Sequence, residues 1–318
     1  MFFTVETPPL PRSIVSAILP PEDVRRIDDL ALSPDGEWLT FAGLPTEGET
    51  RLFLRRLDSP DARSLDGTEG ASYPFWSPDS RFIGFFADGK LKKIGISGGS
   101  PFALADAPTG RGGTWSSDGV IVFAPNVYGP LHRVSAAGGP VSTVTKLNAE
   151  ERTHRWPWFL PGGRRFLFLA SQTGTPAVAA GASEIYLGFL DEKPPRMLMR
   201  SQANAVYSNG HLVFARQNTL MAQAFDPEAA NLSGEPRPLR EPVANSFVSK
   251  GGFSISEGGR LVYPLESASG ISSLTWYDRT GRRLGTVGEP ASFRDIAVSP
   301  GNEVVAASVQ NEEGGANI

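Results

Sequence analysis

The chain has 318 residues, 40% of them hydrophobic, no cysteine, and a formal net charge of -4. That length supports a large buried core in one or two domains. The lack of cysteine excludes disulfides and thiol catalysis. A pI of about 5.6 with no basic block argues against a nucleic-acid platform. No apolar run approaches the roughly 18 residues of a membrane-spanning helix, and no basic stretch followed by an apolar core marks a signal peptide.

Residues 1–26 read as a lead-in. Met1–Glu6 could add one closing strand, Thr7–Arg12 is proline-rich and irregular, and Pro21–Arg26 fits either a short helix or the approach to a first strand. From residue 27 one turn recurs. Its clear copies are Leu32-Ser33-Pro34-Asp35-Gly36, Trp76-Ser77-Pro78-Asp79-Ser80 and Trp115-Ser116-Ser117-Asp118-Gly119. Degenerate copies end at Gly163, Gly210, Gly259 and Asn302. Proline at the second place presets φ for a type I turn, Asp can bond local backbone, and Gly accepts a following step at φ > 0.

Apolar strands follow each turn: Trp38–Phe41, Phe82–Phe86, Val120–Phe123, Phe166–Leu169, Leu212–Phe214 and Leu261–Tyr263. They are apolar on both faces, as strands covered on each side must be. A second hairpin element comes about 15–20 residues after each turn, a spacing that fits the outer half of a four-stranded blade. Its copies are Leu52–Asp58, Leu91–Ile96, Leu131–Val134, Ile185–Phe189, Leu220–Phe225 and Leu274–Asp278. A repeat of about 40–50 residues with strands in each unit is the mark of a β-propeller. The expectation is all-β: residues 27–318 form one propeller of seven repeats, six complete and the last truncated at Ile318. Gly and Pro are spread throughout, so no internal domain boundary is placed.

Gly95-Ile96-Ser97-Gly98-Gly99 matches the nucleophile-elbow pattern by letter, but a strand rather than a helix should follow it, so it reads as a hairpin turn. His132, His154 and His211 are far apart and lack zinc-ligand spacing. No metal or other cofactor is expected. Trp76 and Trp115 share one register, as packing between blades would require, and Trp156 and Trp158 beside His154 read the same way.

Eight residues before the last turn residue, three units carry arginine: Arg111, Arg155 and Arg294. The other units have Asp28, Ser72, Gln202 and Gly251 there, with Lys250 adjacent. This register falls near the start of each innermost strand, where successive blades surround a channel mouth. Arg111, Arg155 and Arg294, with His154, are therefore candidates for binding a small anionic ligand or a carboxylate of a partner protein. The competing reading pairs each Arg with a loop carboxylate or leaves it solvated.

Several segments together resemble the TolB-type β-propeller repeats in the C-terminal halves of bacterial transmembrane serine/threonine kinases. They include Phe85–Lys93, Gly110–Trp115, His154–Pro157 with Phe159–Gly163, Thr219–Asp226 and Leu274–Arg279. The resemblance implies a WD-like, non-catalytic module for sensing or protein interaction on the outer side of the inner membrane. No kinase Gly-rich loop, H-R-D or D-F-G motif is present, so kinase activity would lie in another domain. Two other functions compete. One is the substrate-gating propeller of a prolyl-oligopeptidase-like hydrolase; the other is a free periplasmic scaffold similar to TolB.

Overall fold

The computed structural model describes residues 18, 21–172, 183–191, 193–216, 219–240, 250–263, 271–277, 283–299, 305–310 and 316–317. The suggested closing strand at Met1–Glu6 lies outside them.

The repeated turn is held as its residues dictate. The Gly36 N–H donates to Ser33 O at 2.9 Å, and the Ser33 hydroxyl accepts the Trp38 N–H at 2.9 Å. Asp35 Oδ1 accepts the Glu37 N–H at 2.9 Å. In the second copy Ser77 repeats this with Ser80 and Phe82. The last turn residue lies at positive φ in six copies, from Gly36 to Gly259; Ser80 is the one non-glycine among them, at 58°. Such turns join neighbouring antiparallel strands over one short step, so each unit folds locally into a sheet.

Five four-stranded blades result, each antiparallel and in chain order. The first holds β1 (Val24–Leu32), β2 (Trp38–Pro45), β3 (Arg51–Arg56) and β4 (Ala62–Ser64). The second holds β5 (Ser72–Trp76), β6 (Phe82–Ala87), β7 (Lys90–Gly95) and β8 (Phe102–Asp106). The third has β9 (Gly113–Trp115), β10 (Val120–Phe123), β11 (His132–Ser135) and β12 (Ser142–Thr143). The fourth has β13 (Thr153–Phe159), β14 (Arg165–Ser171), β15 (Ser183–Phe189) and β16 (Arg196–Arg200). The fifth has β17 (Ala205–Ser208), β18 (His211–Arg216), β19 (Thr219–Asp226) and β20 (Asn231–Arg240). Pro21 and Val24 form a turn into β1, not a helix start. Gly95–Gly99 is the β7–β8 turn, closed by the Gly98 N–H on Gly95 O.

The sixth unit departs from the expected six complete blades. Among the described residues there, β21 (Ser254–Ile255) pairs with β22 (Leu261–Val262). The segment expected as its outer hairpin is β23 (Ile271–Tyr277), which pairs with β24 (Arg283–Val298) in another sheet completed by β25 (Val305–Gln310) and β26 (Ala316–Asn317). The physical reason is the length of β24. Its 16 residues run unbroken through both the fourth strand of unit six and the first of unit seven, so its first part pairs with β23 and its last part with β25. Among the described residues the structure thus has five full blades where the repeat count suggested seven units.

The core lies between blades. Leu52, Leu54 and Leu65 of the first blade pack with Trp76, Ile83 and Phe85 of the second. Val122 and Leu131 of the third pack with Phe166 and Phe168 of the fourth. Each such side chain contributes about 1.5–3 kcal/mol on burial. Glycines let the rings enter: a Cβ on Gly84 would sit 2.3 Å from the Phe75 ring, and one on Gly113 2.5 Å from it. In the first four blades the second strands are almost fully buried, whereas Leu261 and Val262 of β22 are half-buried.

Innermost strands bond across blade boundaries. The Trp76 indole N–H donates to Ala31 O at 2.9 Å, the Phe159 N–H to Thr114 Oγ1 at 3.0 Å, and the Trp156 N–H to Arg111 O at 3.1 Å. The ring returns to its start where the Leu32 N–H meets Ser254 Oγ at 2.9 Å and Arg260 reaches Gly36 O at 2.7 Å. No helix among the described residues is long and apolar enough to cross a membrane.

Candidate functional site at the channel end

β1, β5, β9, β13, β17 and β21 run in the same direction around a central cavity of about 480 Å³. One end is rimmed by the repeated turns, through Pro34, Pro78, Ser117, Gly162 and Glu257. At the other end, where the innermost strands begin, Tyr73, Gly112, Trp156 and Lys250 line the cavity.

Three of these last residues share a backbone device. Tyr73, Gly112 and Trp156 all have left-handed φ, at 49°, 87° and 54°. They occupy one register, seven residues before the last turn residue of their units, and both β5 and β13 break pairing register there. Glycine adopts this conformation freely, whereas a bulky aromatic residue holds it at a cost of about 1–3 kcal/mol. Gly112 is also where Trp156 comes in; a Cβ there would meet the indole at 2.5 Å. The Tyr73 and Trp156 rings meet edge to face, their centroids 4.9 Å apart.

Charged groups converge on these rings. Lys250 Nζ lies 2.8 Å from Asp29 Oδ1, and the Tyr73 N–H donates to Asp29 Oδ2 at 3.0 Å. The Arg111 guanidinium lies 5.7 Å from the Tyr73 ring centroid. Arg111 Nη1 donates to Thr109 O and Gly110 O, while its Nε is buried without a hydrogen-bond partner among the described residues. Arg155, 2% exposed, donates to Thr153 Oγ1 at 3.2 Å and Val127 O at 3.3 Å. Burial, and then the Arg111 charge beside it, hold the Arg155 guanidinium down to about 10. Burial and the Asp29 carboxylate push the Tyr73 phenol up.

Of the residues singled out from sequence, the fold brings Arg111 and Arg155 together. His154 is placed elsewhere, between the third and fourth blades. Its ring nitrogens meet Thr145 Oγ1 at 2.7 Å and Glu151 Oε2 at 3.1 Å, and its ring packs on Phe168. Burial holds its pKa below the usual histidine value. Arg294 falls within β24, and its side chain lies outside the described residues. Asp28 of the same register pairs with Arg26 at 2.6 Å. Sequence reasoning missed Asp29, Tyr73 and Trp156 as a group, although the repeat arithmetic that found the arginines reaches them one residue later.

No family model matches the chain, and no curated protein matches it in sequence. Solved structures match its fold. TolB from Acinetobacter baumannii superposes with a TM-score of 0.50 at 14% identity, over 68% of this chain and 56% of that one. A chain of a nidogen/laminin complex gives a TM-score of 0.53 at 11% identity, over 69% of this chain and 82% of that one. This chain therefore spans little more than half of the TolB length. At such identities the likeness is one of fold, and the chain is an all-β, TolB-like propeller built of four-stranded blades.

Proposed function

We propose that the chain is a non-catalytic binding propeller that takes an anionic group, from a small ligand or a partner protein's carboxylate, at the Arg111 and Arg155 end of its channel. The observation that carries this reading is the pairing of two like-charged guanidinium groups at one site. Arg111 Nε is buried without a partner among the described residues, and the neighbouring charge and burial depress Arg155. An anion between them would relieve both costs, since guanidinium groups bind carboxylates through paired hydrogen bonds. The fold likeness to a chain of a nidogen/laminin complex supports protein binding as a use of this architecture. The segments that resemble kinase-associated propellers support a sensor role in a bacterial receptor kinase, outside the inner membrane.

Calorimetric titration at low salt with acetate, citrate and a glutamate-rich peptide tests the site. Binding that Arg111→Gln weakens tenfold or more is expected. No binding of any of the three, or binding that Arg111→Gln leaves unchanged, overturns the anion reading. The intact mass of the native polypeptide, with peptide mapping, tests the kinase link: kinase peptides in the same polypeptide are expected, and a free-standing propeller would refute it.

A further inference from the structure

We infer that Asp29, Tyr73 and Trp156 form a receptor for a primary ammonium group, filled in this structure by Lys250 of the same chain. The Lys250 Nζ is 2.8 Å from Asp29 Oδ1, 5.3 Å from the Tyr73 ring centroid and 5.9 Å from that of Trp156. One carboxylate and two aromatic rings around one nitrogen is the composition by which proteins hold organic ammonium ions.

The receptor is fixed by bonds that do not involve Lys250. The Tyr73 N–H orients the Asp29 carboxylate through Oδ2, leaving Oδ1 toward the ammonium. The two rings brace each other, and both grow from left-handed backbone held in register breaks of β5 and β13. Aromatic residues at positions that suit glycine are a local cost that packing alone does not require, because Gly112 serves the same register in the third blade.

Lys250 itself lies where the ring closes, ahead of β21 and next to Gly251, whose N–H donates to Asn204 Oδ1 at 2.8 Å. The Asp29 side chain is 12% exposed, and a carboxylate so buried would be left without its counter-charge if Lys250 withdrew. An incoming primary ammonium would restore that charge. It could come from a lysine side chain or from an N-terminal amine, which share this chemistry. The inference is independent of anion binding at Arg111 and Arg155.

Lys250→Met tests it, because methionine keeps an unbranched stem without the ammonium. The variant is titrated with n-butylammonium chloride, a lysine side-chain mimic, and with glycinamide hydrochloride, an N-terminal mimic. Sodium chloride at equal ionic strength is the control, and melting temperature and tryptophan fluorescence are read. A saturable rise in both readouts with either amine is expected, lost in Asp29→Asn/Lys250→Met; the amine that acts identifies the source. Equal responses to amine and sodium salts overturn the inference. Should the variant be unfolded in buffer, refolding by an amine but not by sodium chloride supports the inference, and failure to refold with amine overturns it. Arg111 is intact in Lys250→Met, so failure here and failure of the anion reading are seen separately.

Discussion

Arg155 lies buried beside Arg111, and burial, then the Arg111 charge, raise the cost of keeping the Arg155 guanidinium charged. The folded pKa of Arg155, about 10, is below the ordinary arginine value, so the unfolded chain holds that proton more tightly. The charged group therefore works against folding at every pH below about 10, a cost relieved as pH rises from about 10 toward the ordinary arginine value. Arg111→Gln removes one charge and keeps an amide N–H for the carbonyls of Thr109 and Gly110. Its urea midpoint at neutral pH should equal or exceed that of the wild type, while anion binding falls. A loss of more than about 1 kcal/mol would make Arg111 a structural residue.

The inter-blade contact of Trp76 gives a second prediction. Its indole N–H is bound to Ala31 O, and Trp76 is 7% exposed. Trp76→Phe keeps most of the apolar area but leaves that carbonyl unpaired, at a cost of about 1–3 kcal/mol. Chemical denaturation should show the loss, whereas an unchanged midpoint would mean that water or repacking satisfies Ala31.

Phe75 sits between two glycines, one on its own blade and one on the next. Gly84→Ala should destabilise by about 1–3 kcal/mol through overpacking. Combined with Phe75→Leu, which frees the space, it should cost much less than the sum of the two single changes. A double-mutant cycle measures this, and strict additivity would show that the ring does not set the clearance.

Stability should also depend on the burial of His154. Its folded pKa lies below 6.5, so between the two values the unfolded chain binds the extra proton and the native chain does not. Stability is therefore full above about pH 6.5 and falls as pH drops through that window. The Glu151 carboxylate opposes the shift, and burial of His132 adds an effect of the same sign. His154→Gln should flatten the slope of unfolding free energy between pH 7.5 and 5 in urea titrations. A slope equal to that of the wild type would assign the dependence to other groups.

Much of the fold is legible in the chain because its signals are local. Ser33, Pro34, Asp35 and Gly36 write their turn within four residues, and the doubly apolar runs after each turn correspond to the buried second strands. Arg111 and Arg155 were legible by the same arithmetic, since an inner-strand register repeats with the turn. Tyr73 and Trp156 were hidden by their type: an aromatic residue next to a turn usually packs in the core, and nothing local announces a left-handed backbone under it. His154 looked like a mouth residue because it neighbours Arg155. Within a strand, however, successive side chains point to opposite faces, and His154 turns into the gap between blades.

The sequence by itself determined that this protein is all-β, with repeated turns, doubly apolar second strands and an arginine register near the start of the inner strands. These properties depend on neighbours a few residues apart. Only the tertiary structure decided how many units complete a blade and which residues meet where the ring closes. Lys250 and Asp29 are 221 residues apart, and they touch only because five blades and a hairpin bring the sixth unit back to the first. That closure depends on the summed rotation from blade to blade and on β24 drawing β23 into its own sheet, and no single repeat encodes either.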